Sequence, residues 1–534
     1  FAGELKAAID ARYGLPSGGR SNLTPMMDAP LFGLLPRHHT TDNNIYDVDN
    51  VLPPRKHADQ LIDIYWRYIQ PLEPFLEKER FTDSYHALFD GRSLNTDERI
   101  FISSLNAIFA LSTQIQECME PGQREQASNA FFHRAWALIR PETILWEPGS
   151  LEIVQCLLLL GRYLQCTNNP HQTWMAIGSA VRIAQSLGLH VPNITPHPPP
   201  PSPMNERLLR RQLWQCCVYM DRCISWAFGK ASMVSSTVSS ATLDLPPNYD
   251  GDSQNADTSA TCFMKTLELY EIANHVMLSQ VSACSNTTNR LGLPRLYENG
   301  DYFGTAVQLD NCIGKWEKEL PQLLKHDGFQ VDVDDTLHRQ RVMLRLRFLH
   351  ARIFLFRPML ARICLAQSET ATNSSIDQGL GDRVLQNSAF LCVEGAQKMI
   401  NLIHEYHKPV GPVAVIPWWS RIFYLHIAST ILIAAMLRAD IFTPIISQSW
   451  SKAMSTLQAH EHLGPFVQQC VTTFQMLSCK IMETHHASGG QFPSLEGYSS
   501  TYFQEVFQDM GLEPDNFLFG REDMAWLSNF DAAQ

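Results

Sequence analysis

Apolar side chains recur every three or four residues along most of this chain, and that periodicity leaves few folds open. Leu61, Ile64, Tyr65, Tyr68 and Ile69 fall at i, i+3, i+4, i+7 and i+8, one face of a helix. Leu209, Leu213, Cys216, Cys217, Met220 and Ile224 form a second stripe, and Val342, Leu346, Leu349, Ile353 and Phe356 a third. Prolines end two of them, Pro71 and Pro74 after the first and Pro358 after the third, because proline lacks the amide proton and clashes with the preceding turn. From Trp174 to Leu189 apolar residues cover most of the circumference, with Ser179, Arg182 and Ser186 as a narrow polar strip, which predicts an interior helix. Strand alternation between hairpin turns is nearly absent, with no βαβ rhythm and no glycine-rich phosphate loop. The expectation is an all-α fold, a large array of antiparallel packed helices with no significant sheet.

The 534 residues are 45% hydrophobic and only 18% charged, which suits broad buried surfaces. A formal net charge of −12 argues against direct nucleic-acid binding, which needs clustered Lys and Arg; the excess carboxylate serves solubility first. The 13 cysteines form no Cys-x-x-Cys pair, and Cys216, Cys217 and Cys223 lie within an apolar helical pattern, where buried thiols are the expectation. With no signal peptide at the start, reduced thiols in a cytosolic or nuclear setting are expected. Position 1 is Phe, so a fragment or processed product is expected. Ile422 to Leu437 is apolar between Arg421 and Arg438 but contains His426, Ser429 and Thr430. It is shorter than the roughly 18–20 residues of a spanning helix, so a buried core helix and no membrane partner are expected.

Residues 1–54 have no sustained period and read as an irregular lead-in to a helical unit over 55–440. Within that unit, 192–203 holds seven prolines and reads as an extended connector between two helices that pack together. Residues 245–260 are loop-like, and 366–384 read as a flexible insertion. Residues 441–490 continue the helical unit, and 491–534 form an acidic, aromatic tail.

Catalytic patterns fail on spacing. Asp332, Asp334 and Asp335 lack the further acid of a magnesium-diphosphate motif and sit where Asp caps a helix. His404-Glu405-Tyr406-His407 puts its histidines three apart, whereas a zinc-hydrolase helix needs them at i and i+4. His460-Glu461-His462 cannot share a helix face, His485-His486 reads as a surface pair, and Gly178-Ser179 has no nucleophile-elbow context. No catalytic, metal-binding or cofactor-binding residue is assigned to this chain.

Four segments, in order, resemble the fungal-specific transcription factor domain that follows binuclear zinc clusters in fungal regulators. They are Ala58 to Phe81, Ser150 to Gln165, Trp174 to Val191 (WMAIGSAVRIAQSLGLHV) and Asn205 to Val234 (NERLLRRQLWQCCVYMDRCISWAFGKASMV). Weaker likeness continues to Pro358 and Trp418-Trp419, so the resemblance covers roughly 58–440. Two departures are visible: Gly229-Lys230-Ala231 stands where many members have Gly-Arg-Pro, and Gln215 where a second Trp is common. The resemblance implies a nuclear regulator of RNA polymerase II genes, acting as a homodimer. DNA would be read through an upstream zinc cluster, the only place zinc is expected. It also implies a small-molecule effector, with coactivator or corepressor partners. The rival is an all-α enzyme or small-molecule-binding protein that shares the scaffold without a zinc cluster.

The motif residues Trp174, Gly178, Arg182, Gly188, His190, Arg211, Trp214, Asp221, Arg222 and Gly229 carry structural readings beside the regulatory one. Gly178 leaves room for another helix, and Gly188 suits a left-handed helix end. Arg182, Arg211, Asp221 and Arg222 lie on apolar helices, where charges pair; the alternative is that they line an effector pocket. In the tail, acids interleave with aromatics, among them Phe517, Phe519, Trp526 and Phe530. That composition suits an activation segment taken up by a coactivator groove, or a segment docked on the parent core. Fused to an unrelated DNA-binding domain, residues 497–534 are expected to switch on a reporter; a silent reporter removes the activation reading.

Overall fold

Fourteen helices and no strand make up the described residues of the computed structural model. These are residues 52–487 except 141–143, 145, 168, 192–203, 237, 239–253, 285–301, 327–334, 366–378, 408–412 and 439. The Pro-rich connector, most of the lead-in and the whole tail, with Phe517, Phe519, Trp526 and Phe530, lie outside them.

The first half runs α1 Arg55–Ile64, α2 Lys78–Phe89, α3 Glu98–Gln114, α4 Pro121–Ile139, α5 Leu151–Cys166, α6 Pro170–Ser186 and α7 Met204–Phe228. The second runs α8 Gln254–Cys284, α9 Tyr302–Lys318, α10 Asp335–Leu365, α11 Leu380–Glu405, α12 Trp418–Met436, α13 Pro444–Gln458 and α14 Pro465–Ala487. The most extensive packing is between neighbours in sequence, α3 on α4, α5 on α6, α10 on α11 and α11 on α12, while α7, α8 and α10 join the two halves. One apolar cluster runs without interruption from Ala58 to Met482. Helix starts follow from local chemistry: the side chains of Glu77, Asp97 and Ser150 accept from the free amides of α2, α3 and α5.

Helix α12 is the one described helix long and apolar enough to cross a membrane, yet its side chains are buried among α10, α11, α13 and α14. Three expectations need correction. Helix α6 is not interior all round: Thr173, Ala176, Ile177, Ala180, Val181 and Ala184 form one buried stripe, while Met175 and Arg182 face solvent. Helices begin at Gln254 and Leu380, inside segments expected to be loops. Pro358 does not end its helix, since α10 runs on to Leu365. The reason is visible. Proline at 358 strips the Phe354 carbonyl of its helical donor, and Gln280 Nε2 of α8 donates to it instead at 2.8 Å. Tyr302 Oη, bonded by the same amide at 2.9 Å, donates to the Leu355 carbonyl at 2.9 Å.

The turn between α1 and α2 enters the core rather than skirting it. Pro71 and Pro74 bring no amide protons to be satisfied, and the amides of Leu72, Glu73 and Phe75 bond within the turn. Its carbonyls are taken by side chains: Pro71 by Gln340, Pro74 by Gln212 and Cys216, Phe75 by Gln155 and Leu76 by Gln70.

Replacing Gln280 by Leu orphans the Phe354 carbonyl and is expected to cost about 1–3 kcal/mol in urea unfolding. In a Pro358→Ala background, where the helical amide returns, the same change is expected to cost much less; equal losses in both backgrounds would refute the repair.

Candidate functional site

Where α5, α7, α8, α10 and α12 converge, the core is polar. Helical spacing sets the walls. Helix α7 contributes Tyr219, Cys223 and Trp226, and α10 contributes Met343, Arg347 and His350, each set at i, i+4 and i+7. Arg162 and Gln165 of α5, Tyr270 of α8, and Trp419, Phe423 and Tyr424 of α12 complete a cavity of about 80 Å³.

The electrostatics start from Glu73 in the inward turn, which is 2% exposed. Its Oε1 is 2.8 Å from Arg162 Nη2 and accepts from Tyr219 Oη at 3.0 Å. Arg347 is buried as deeply, but its partners are neutral: Nη1 donates to Thr266 Oγ1 at 2.9 Å and Nη2 to Tyr219 Oη at 3.2 Å. Burial pushes the Tyr219 and Tyr270 hydroxyls well above their ordinary range, and Tyr424 to about 12 despite the Arg347 charge beside it. All three are therefore neutral at pH 7 and leave the guanidinium charge in place. Trp226 stacks on His350, ring centroids 4.1 Å apart and nearly parallel. The indole N–H groups of Trp226 and Trp419, both buried, have no acceptor.

None of the ten motif residues singled out from sequence is among the lining residues. Asp221 and Arg222 instead form a second buried cluster. Arg222 reaches Asp221 Oδ2 at 3.2 Å, Glu271 Oε2 of α8 at 3.0 Å and the Val234 carbonyl at 2.7 Å. Asp221 accepts from the amides of Met233 and Val234 at 3.0–3.1 Å, fixing the segment after α7. Burial raises the Asp221 carboxyl above its usual range, opposed by those amides and by Arg222. Arg182 is exposed and Arg211 half-buried, and the cluster holds neither. Gly188 and Gly229 end their helices at φ +71 and +61, conformations that glycine adopts freely. Gly178 faces the Met233 side chain, not a helix; a glycine that does let two helices close up is Gly161 of α5, where a Cβ would collide with Ile177 of α6. Trp214 is fully buried with His190 against it, ring centroids 5.8 Å apart, and Trp174 is half-buried with Lys230 Nζ 5.3 Å above its ring.

The cavity residues were missed because the stripe read along α10, from Val342 to Phe356, passes one position aside from Met343, Arg347 and His350; their own i, i+4, i+7 spacing was the available signal. Among the described residues no three His, Cys, Asp or Glu side chains converge as metal ligands. Cys216 and Cys217 are buried single thiols.

Arg222→Ala leaves Asp221 and Glu271 as buried acids without their cation, and a loss of about 3–5 kcal/mol is expected. A melting temperature equal to that of the parent protein would contradict the cluster's role.

Residues 62–314, which include α5, α7 and α8 of this site, match the fungal specific transcription factor domain. The chain is 39% identical over 528 residues to the sorbicillinoid biosynthetic cluster transcription factor 2 of Penicillium rubens, covering 98% of this chain and 75% of that protein. It is 39% identical over 540 residues to the sorbicillinoid biosynthetic cluster transcription factor sor3 of Hypocrea jecorina, 99% and 75% respectively. A more distant likeness, 27% over 219 residues, is to the lactose regulatory protein LAC9 of Kluyveromyces lactis, 39% of this chain and 23% of that protein. This chain belongs to the fungal-specific transcription factor family and is the regulatory region of such a factor, not an enzyme.

Proposed function

We propose that this region makes a nuclear transcription factor respond to a small molecule, and that the factor controls a biosynthetic gene cluster. The observation that carries the effector reading is the cavity between α5, α7, α8, α10 and α12, where the hydrogen-bond acceptors of a buried guanidinium are neutral and two indole N–H groups have no acceptor among the described residues. The cluster reading is supported by the names of the two relatives that match nearly the whole chain. DNA contact and zinc are assigned to a zinc cluster outside these residues. A net charge of −12 agrees with that division of labour. Homodimerisation, and a coactivator or corepressor engaged through the acidic, aromatic tail, complete the proposal.

Two measurements test it. Deleting the gene is expected to change the transcripts of one set of co-clustered biosynthetic genes together; unchanged transcripts would remove the cluster assignment. This chain, fused to an unrelated DNA-binding domain, is expected to drive a reporter whose output follows the growth conditions that switch those genes. Constant output would remove effector control.

A further inference from the structure

We infer that the cavity takes a small organic monoanion, a carboxylate or an acidic enol with a short apolar body, anchored on Arg347. The inference rests on the effector reading above and names the ligand's chemistry.

Charge accounting leads to it. Arg162 and Arg347 both line the cavity, but the carboxylate of Glu73 at 2.8 Å neutralises Arg162. Arg347 bonds to Thr266 and Tyr219, with Tyr270 and Tyr424 beside it, all neutral at pH 7; the one acid whose charge it feels, Glu73, is already held by Arg162. One positive charge is left over in a site where arginine is 3% exposed. A buried charge without a counterion is costly to keep, and a hydrophobic residue of similar size is usually at least as stable. The hydrogen bonds point the same way. Trp226 and Trp419 each add a buried N–H without an acceptor, so the walls hold donors in excess. A guest that supplies one negative charge and several acceptor oxygens meets both shortages at once. The remaining walls, Phe423, Met343 and the face of Tyr270, suit a short apolar body. The volume, about 80 Å³, limits that body to a few carbon atoms.

Arg347 is not the only buried arginine without a bonded acid: Arg124 and Arg339 also keep guanidinium N–H groups without a partner among the described residues, but neither lines this cavity. Arg421 pairs with Glu117, and Arg124 and Arg339 lie over the rings of Trp418 and Tyr68. Arg347 alone among these four lines this cavity.

Crotonate and its neutral, nearly isosteric amide, crotonamide, are the probes. With the intact chain at constant ionic strength, crotonate is expected to change tryptophan fluorescence saturably in the millimolar range and to raise the melting temperature. Crotonamide is expected to bind at least tenfold more weakly. Arg347→Met is expected to fold with an unchanged or higher melting temperature and to lose the crotonate response, whereas Arg182→Met, at the surface of α6, retains it. Should Arg347→Met fail to fold, Trp226→Phe keeps the ring against His350 and removes one donor; it is expected to weaken crotonate several-fold. Equal binding of acid and amide overturns the monoanion but leaves a ligand site. Saturable binding of neither, or binding that survives both cavity substitutions, overturns the site itself. Effector control is judged separately by the reporter fusion, so a condition-dependent reporter with no crotonate binding refutes this ligand class and not the regulatory reading.

Discussion

A carboxylate stands where the helices meet. Glu73 is carried into the core on a turn whose prolines reduce the number of amides to be satisfied, and its charge is met by Arg162 while Tyr219 donates to it. Tyr219 in turn accepts from Arg347, so one acid connects the first turn, α5, α7 and α10. The turn could not lie there without its side-chain donors, because a buried carbonyl without a partner costs about as much as a lost hydrogen bond. Gln340, Gln212 and Gln155 are therefore as much a part of the fold as the leucines around them. A buried pair of this kind contributes little net stability against a hydrophobic replacement, but it penalises every arrangement that separates its members.

Much of the architecture was legible from periodicity, and the failures have local causes. The stripes at Leu61 and Leu209 gave helices where expected, because burying one face is worth more than the weak propensities of individual residues. Ile422 to Leu437 read as a core helix from its length and its three polar residues, and it packs in the interior. Helix α6 looked apolar all round because Met175 counts as apolar wherever it points, yet it is largely exposed. Pro358 looked like a stop because the sequence carries no sign that Gln280, far away in the chain, would supply the missing donor.

The candidate site was less legible than the fold. Asp221 and Arg222 stood out because charges on an apolar stripe demand partners, but Glu271 and the amides of Met233 and Val234 could be found only in three dimensions. Arg182 and Arg211 carried the same signal and do not join that cluster, since a motif position does not say which way a side chain turns. The ten residues singled out from the family motifs miss the cavity, although the motif segments Ser150 to Gln165 and Asn205 to Val234 carry Arg162, Tyr219 and Trp226 to it. The scaffold and the cavity thus draw on different residues of the same helices, as α7 illustrates with Asp221 and Arg222 on one contact and Tyr219 and Trp226 on the other.

Helix α10 shows how a core helix can carry so many cations. Arg345 and Arg352 reach acids of α9, Glu317 and Asp310, and both guanidinium groups also lie near the ring of Phe348. Arg339 lies 4.4 Å over Tyr68 and Arg357 4.4 Å over Phe354, where weak hydration of guanidinium makes an aromatic face a tolerable substitute for water. Arg341 gives its Nε proton to the Leu323 carbonyl. Arg347 also has a ring nearby, Tyr219 at 5.7 Å, but it sits where the helices leave space. On the same helix, then, acids, carbonyls or rings attend the other arginines, including Arg341 and Arg345, which line a separate cleft beside Glu317. The one beside the cavity keeps its charge for something the protein does not itself supply.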